Sequence, residues 1–145
     1  MAKIKLLNLK GEVVGIKTLK ISGGEGIGFA IPSKGFMSLL ESFVDNINYT
    51  VPYLGVYGYD AEIEKYYGSD KVGDGFYVLS VAGNSPLAEC GVESGSVITS
   101  VNEHEIYNTL DLRNELYQHS SDDTIFIKFQ KDGQCYNVKT KLRAK

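Results

Sequence analysis

The chain has 145 residues, 43% of them hydrophobic and 23% charged, with a formal net charge of −3. That is one domain, or one domain with an appendage, and its hydrophobic content excludes a disordered chain. The mild negative charge offers no basic face to a polyanion, and no apolar run approaches the ~18–20 residues of a membrane-spanning helix. Sixteen glycines, many of them clustered, point to turns and close backbone approaches rather than to long helices.

In chain order, a turn signal at residues 8–11 leads into residues 11–18 (GEVVGIKT), a β-rich run. A Gly-rich turn at residues 22–26 separates it from a second strand over residues 27–31, ended by Pro32, so that the two form a hairpin-like pair. Ser33 stands as the N-cap of a helix whose apolar face is Phe36, Leu39, Leu40, Phe43, Val44 and Ile47, ending near Asn46 or Asn48. Pro52 holds Val51 extended, so residues 46–52 read as a linker and a domain boundary. Residues 53–59 (YLGVYGY) pass from a loop into a strand, and Asp60 caps a short helix over residues 61–67 closed by Gly68. Beyond a polar loop, residues 75–81 (GFYVLSV) form a strong strand. Pro86 takes the first position of a one-turn helix that Gly91 stops. Residues 96–101 are a buried strand. Residues 109–119 are a helix with Leu112 and Leu116 inward and Asp111 in its first turn. Residues 123–131 and 134–142 are strands around the hairpin signal Asp132-Gly133.

Cys90 and Cys135 are too few for a disulfide framework, lack metal-ligand spacing and read as reduced thiols. His104 lies in a turn between Glu103 and Glu105, and His119 at a helix end. Neither shows the nucleophile and orienting group that a catalytic triad requires. No metal and no cofactor is implied.

Within residues 75–106 the pattern becomes specific. After the strand come Asn84-Ser85-Pro86-Leu87-Ala88, then Cys90-Gly91, Gly95-Ser96, Val97-Ile98 and Val101-Asn102. This order resembles a PDZ domain of the bacterial kind. Two residues depart from it: Ser96 stands where Asp is usual, giving up a local side-chain cap, and Glu103 stands where Gly is usual, in a tight turn. Upstream, Leu6-Leu7-Asn8-Leu9-Lys10-Gly11-Glu12-Val13-Val14-Gly15-Ile16 and Gly26-Ile27-Gly28-Phe29-Ala30-Ile31-Pro32-Ser33 resemble the end of the protease domain of HtrA (DegP-like), trypsin-like serine proteases. In that family a Gly-Asn-Ser-Gly-Gly-Pro run bearing the nucleophile precedes such a segment; here residues 1–5 (MAKIK) hold that place.

The resemblance implies an α+β fold. A PDZ-like, partly open β-barrel or sandwich flanked by helices is expected over residues 53–145. A linker helix over residues 34–52 and remnant strands of a protease barrel over residues 1–33 precede it. The chain itself is expected to have no catalytic residues and no proteolytic activity. The parent is expected to be a serine endopeptidase working outside the cytoplasm, in the periplasm or tethered at the cell surface. PDZ domains take a peptide as an added strand and catch its C-terminal carboxylate with loop N–H groups. Tyr53, Leu54, Gly55 and Val56 resemble that loop, and Val56 with Tyr57, Gly58 and Tyr59 the peptide-pairing strand. From the residues alone, this stretch reads equally as a core strand with a turn. With Leu112 and Leu116 assigned to the core, Leu110, Asn114 and Tyr117 are expected on the groove face of the helix, or else on a solvated face. No charged selector stands at the helix start, so the expected ligand is a peptide or unfolded-protein C-terminus with an apolar last residue. Residues 6–33 are expected to pack on the PDZ body or to form a homo-oligomer, because cut barrel strands expose apolar faces and edges. The alternatives are endopeptidase activity inherited from the parent, and a structural, oligomer-forming segment with a closed groove. Nucleic-acid and membrane contacts by this chain are not expected.

Overall fold

The computed structural model describes residues 5–20, 28–66 and 73–144. The turn expected at residues 22–26 and the helix stop at Gly68 lie outside the described residues, as does most of the polar loop that follows. Three antiparallel strands, β1 (Lys5–Leu7), β2 (Val13–Lys20) and β3 (Gly28–Pro32), pair in that order. β1 adds to the expected hairpin. Its turn into β2 is closed by the Asn8 side chain, whose Oδ1 accepts from the N–H groups of Lys10 and Glu12 at 2.9 and 3.0 Å.

The expected helix cap at Ser33 does not form. Ser33–Gly35 is a 3-10 turn closed by the Phe36 N–H donating to the Ser33 carbonyl, and α1 (Met37–Asp45) begins four residues later without a side-chain cap. Residues 46–52, read as a linker, are fastened to the rest of the chain. Tyr49 is buried, its ring meets Phe43 edge-on at 5.2 Å, and its hydroxyl donates to the Tyr117 carbonyl at 3.0 Å. The Ser42 hydroxyl reaches the same carbonyl. That carbonyl ends a helix and has no partner within it, so α1 is fastened to another helix by satisfying it.

The rest of the chain runs β4 (Pro52–Tyr53), β5 (Val56–Tyr59), α2 (Ala61–Tyr66), β6 (Phe76–Val81), α3 (Pro86–Glu89), β7 (Val97–Val101), β8 (His104–Glu105), α4 (Thr109–Tyr117), β9 (Thr124–Lys131), β10 (Gln134–Lys141) and β11 (Arg143–Ala144). An antiparallel sheet has the order β10-β9-β7-β6-β5, with β8 paired to β7 and a separate ribbon of β11 on β4. The ribbon has no local sequence signal, since its partners lie some ninety residues apart in sequence.

Alternation builds the core. Along β9, Ile125, Ile127 and Phe129 point inward while Phe126, Lys128 and Gln130 point out. Val78, Leu87, Val92, Ile98, Val101 and Leu142 are also buried in this core. At α3, Pro86 stands at the start and the Ser85 Oγ accepts from the Ala88 N–H at 3.3 Å. Ser96, expected to give up a cap, keeps one: its Oγ is fully buried and accepts from the Glu93 N–H at 3.3 Å. A serine oxygen suffices because the loop brings that N–H to it.

His104 sits in β8 rather than in a turn. The turn is made by Asn102 and Glu103, both left-handed at φ 48° and 70°, so Glu103 takes a conformation in which glycine is at ease. Both histidines contact Glu115, which is 7% exposed: His104 Nδ1 lies 3.1 Å from one carboxylate oxygen and His119 Nε2 3.4 Å from the other. A carboxylate so deeply placed needs such partners.

Candidate functional site

The site is built on one open edge. β5 pairs with β6 and, at the end of the sheet, with no strand on its other side among the described residues. The Ala82 N–H donates to the Gly55 carbonyl at 2.8 Å, while Val56 lies opposite Val81. In an antiparallel ladder that makes Val56–Val81 a non-hydrogen-bonded pair, so the N–H and C=O of Val56 point away from β6 to the open side. A bulge follows, and Gly58 lies opposite Val78, whose own N–H and C=O are taken by Ser96 and Gly95. Gly58 therefore also turns its polar backbone outward. Val56 and Gly58 together offer two donors and two acceptors in strand register.

The loop before β5 supplies more donors. Gly55 has φ +78°, and a Cβ there would lie 2.1 Å from the Ser85 Cβ. Only glycine fits, for both reasons. Leu54 is buried in the core and its carbonyl accepts from the Leu87 N–H at 3.4 Å, which ties the loop to α3. Among the described residues, the N–H groups of Leu54 and Gly55 donate to no backbone carbonyl. A turn with consecutive free N–H groups is a concavity suited to an anion.

α4 forms the opposite wall, and the space between is a groove of about 450 Å³. Its floor is apolar, from Leu54, Phe76, Leu112 and Leu116; Tyr53, Tyr57, Tyr117 and Arg113 are among the residues that rim it. Desolvation, and then the neighbouring Tyr57 phenol, push the Tyr53 hydroxyl above its ordinary value.

Asp60 fixes the distance between the walls at one end. One carboxylate oxygen accepts from the Ile63 N–H at 3.2 Å and starts α2; the other accepts from the Thr109 N–H at 2.8 Å and starts α4. Burial pushes this carboxyl up, but the N–H donors of Thr109, Ile63 and Glu62 and the Thr109 side chain outweigh it and hold it below the usual carboxylate value. Asn108 completes the start of α4 by accepting from the Asp111 N–H at 2.9 Å. The far end of β5 thus meets the start of α4, and β5 and α4 run in opposite directions.

Of the helix residues expected on the groove face, Tyr117 lines the groove and Leu110 and Asn114 do not. Leu110 faces a second hollow of about 320 Å³ against Ile31, Pro32 and Gly35. The Asn114 Oδ1 is buried without a hydrogen-bond partner among the described residues. The groove face is instead Thr109, Leu112, Arg113, Leu116 and Tyr117. Core and groove share one continuous stripe of α4, so assigning Leu112 and Leu116 wholly to the core turned the expected face by about one residue. The i, i+3, i+4, i+7 spacing from Thr109 was the available signal.

A family model described as PDZ domain matches residues 52–142. The serine protease Do-like HtrA of Bacillus subtilis is 34% identical over an alignment of 151 positions that covers 97% of this chain and 34% of that protein. The serine protease Do-like HtrA of Lactococcus lactis subsp. cremoris is 30% identical over an alignment of 150 positions that covers 94% of this chain and 37% of that protein. The solved structure of the HtrA-type protease AlgW with a tripeptide superposes with a TM-score of 0.65 at 25% identity, over 99% of this chain and 52% of that one. The chain spans about a third of the length of these curated relatives.

Proposed function

The chain belongs to the PDZ domain family, in the form carried by HtrA-type proteases, and from that premise we propose that its groove binds the C-terminus of a peptide or unfolded protein as an added strand on β5. The observation that carries this reading is the open edge itself: Val56 and Gly58 present unpaired backbone groups beside an apolar groove, with the free N–H groups of Leu54 and Gly55 at its end. The carboxylate lies against residues 54–56 at the beginning of β5, so the peptide runs antiparallel to β5. Its last side chain falls on the apolar floor by Leu54 and Leu116, which favours an apolar terminal residue.

We assign residues 1–33 to the end of a protease domain, 34–52 to a linker helix and 53–145 to the PDZ domain. The parent is a serine endopeptidase working outside the cytoplasm, in keeping with relatives named as periplasmic serine proteases, and the groove recruits its substrate or regulates it. This chain does not hydrolyse peptides by itself: among the described residues the histidines are held by Glu115, Asn102 and Asp123, not by a serine. A second copy packs on the exposed apolar side chains of β1–β3, among them Leu7, Phe29 and Ile31; light scattering over a concentration series checks this, and a strict monomer overturns it.

The central test is a titration with a pentapeptide ending in valine, with a free or an amidated C-terminus, followed by tyrosine fluorescence or NMR. The free acid is expected to bind at least about tenfold more tightly, since charge-assisted hydrogen bonds to loop N–H groups are lost on amidation. Equal affinities would sink the carboxylate reading. A casein hydrolysis assay is expected to show no turnover.

A further inference from the structure

The sheet carries a hollow of about 400 Å³ on its outer face, apart from the groove between β5 and α4. Its lining is Ser100, Asn102, Glu103, Phe126, Lys128 and Asn137. Strand register builds it. Ser100 lies opposite Lys128, and Lys128 opposite Asn137, so these three form a row across β7, β9 and β10. Phe126 stands two residues from Lys128 on the same outward face of β9, about 7 Å along the strand. Asn102 pins that end: its N–H donates to the Phe126 carbonyl and its Oδ1 accepts from the Phe126 N–H, both at 2.8 Å. Glu103 follows at the tip of the turn from β7 into β8. Along the hollow, the Lys128 row is thus at one end, the Phe126 ring in the middle and the Glu103 carboxylate at the other.

The polar groups of this hollow are unspent. Among the described residues, the side chains of Ser100, Glu103, Lys128 and Asn137 make no hydrogen bond or ion pair. Elsewhere on β9 and β10 charges find partners: Lys131 pairs with Glu93, and Lys141 with Asp122 at 2.9 Å. Ser100 is 6% exposed, and a hydroxyl that deep calls for a hydrogen-bond partner. Phe126 is 52% exposed; Lys139 Nζ lies 5.9 Å from its ring centroid but does not line the hollow. Glu103 holds φ +70°, a conformation strained for a side chain and easy for glycine. Glycine would close the turn with less strain. What glutamate adds is a carboxylate at the hollow, and strain of this kind gathers where a ligand is held.

Two unpaired charges of opposite sign, set on either side of an exposed ring, define the ligand. Lys128, with the Ser100 hydroxyl and the Asn137 amide in its row, fits a carboxylate. Glu103 fits an ammonium, and Phe126 an apolar body between the two. A free amino acid carries both charges on one carbon and does not span the ring. A peptide of two or three residues carries them at the ends of an extended backbone, at roughly 3.4 Å per residue. We propose that this hollow is a second binding site, for a zwitterionic di- or tripeptide with its carboxylate on Lys128 and Ser100 and its ammonium on Glu103. The site uses no residue of β5 or α4 and is independent of strand addition in the groove.

The probe is the tripeptide alanyl-leucyl-alanine, titrated by NMR into the intact chain. A saturating N-acetylated pentapeptide ending in valine is present throughout, because it can occupy the groove but has no ammonium for the hollow. The tripeptide is expected to shift signals of Ser100, Phe126 and Asn137, and N-acetylating or amidating it should weaken binding about tenfold in each case. Free leucine should bind at least about tenfold more weakly. Glu103→Gln should abolish the effect of N-acetylation, and Lys128→Gln the effect of amidation. Both residues are exposed, so both variants should keep the far-UV spectrum of the parent chain. Glu103→Gly should lose tripeptide affinity yet melt no lower than the parent, which a merely structural glutamate would not do. Shifts confined to the groove, or no binding at all, overturn the site and leave the groove reading standing. Equal binding of the N-acetylated tripeptide overturns the role of Glu103, and equal binding of free leucine overturns the two-ended ligand.

Discussion

Residues 5–45 and residues 53–142 are both apolar and rich in strands, yet they bury their side chains differently. The hydrophobic core, from Leu54 to Leu142, is drawn entirely from the second stretch. In the first, Gly15 is the only buried residue among those described, while Leu7, Val14, Ile16, Phe29 and Ile31 are exposed. The ladders of β1–β3 form, each with one shift of register, at Leu6/Leu7 and at Lys17/Leu19. What they lack is a second layer. A sheet hydrogen-bonds by its backbone and is stabilised by what covers its face, and these are separate conditions. The helices α3 and α4 pack on the larger sheet; the small sheet reaches the rest of the molecule through the 3-10 turn and α1, by way of Tyr49, Ser42 and Leu110. The groove between β5 and α4 falls on the well-covered side of this divide, which gives its walls fixed positions.

The comparison breaks or sharpens first under truncation of matched isoleucines. Ile127 in β9 is fully buried and Ile16 in β2 is 37% exposed. Ile127→Ala is expected to cost about 2–5 kcal/mol, the range for a core deletion. Ile16→Ala is expected to cost less than about 1 kcal/mol, in line with a partly exposed position. Urea unfolding followed by tyrosine fluorescence measures both; equal losses would mean that β1–β3 is covered in solution, as a second copy would cover it.

Matched glycines make the next test. Gly11 and Gly55 have nearly the same left-handed φ, +80° and +78°. A Cβ at Gly11 would meet nothing within 4 Å, whereas at Gly55 it would meet Ser85. Gly11→Ala is expected to cost about 1 kcal/mol, the strain of the conformation alone. Gly55→Ala is expected to cost about 2–3 kcal/mol, because the collision must also be relieved. It should weaken peptide binding as well, because the loop N–H groups shift. Thermal melts alongside the peptide titration separate the two; Gly55→Ala with parent-like stability and binding would show that the loop is less constrained than its contacts imply.

Asp60 gives the smallest effect and a pH signature. Its carboxyl is held below its ordinary value in the folded chain, so the folded state binds a proton less readily than the unfolded one. The stabilisation is therefore present above the ordinary carboxylate value of about 4 and is lost as the pH falls through the lower folded value. Its size is about 1–2 kcal/mol, as for hydrogen bonds to a charged group. In Asp60→Asn the difference from the parent chain should be full at pH 7 and should close below about pH 4. A difference that persists at low pH would mean that the carboxylate charge is not what joins α2 to α4.

Much of the fold was legible because its signals are local. The strand pair over residues 123–131 and 134–142, the Asp132-Gly133 turn between them, and Pro86 at the first position of α3 each rest on signals within a few residues, and the structure has them as expected. Ser33 was misread because it lies inside a 3-10 turn that follows Pro32, and the break at Phe36, with φ −138°, separates that turn from α1. The role of Glu115 was not legible at all: its place in the interior depends on His104, eleven residues earlier, and on His119.

The sequence by itself determined that glycines stand at two positions, Gly55 just before β5 and Gly58 within it, where a side chain would collide with the body of the domain. It determined this because backbone clearance is a property of residue type. Which face of α4 looks into the groove, that Arg113 stands there without a partner, and that Tyr49 fastens α1 to α4 were decided only by the tertiary structure. A helix offers several overlapping faces, and only the packing of its neighbours selects the one that remains open.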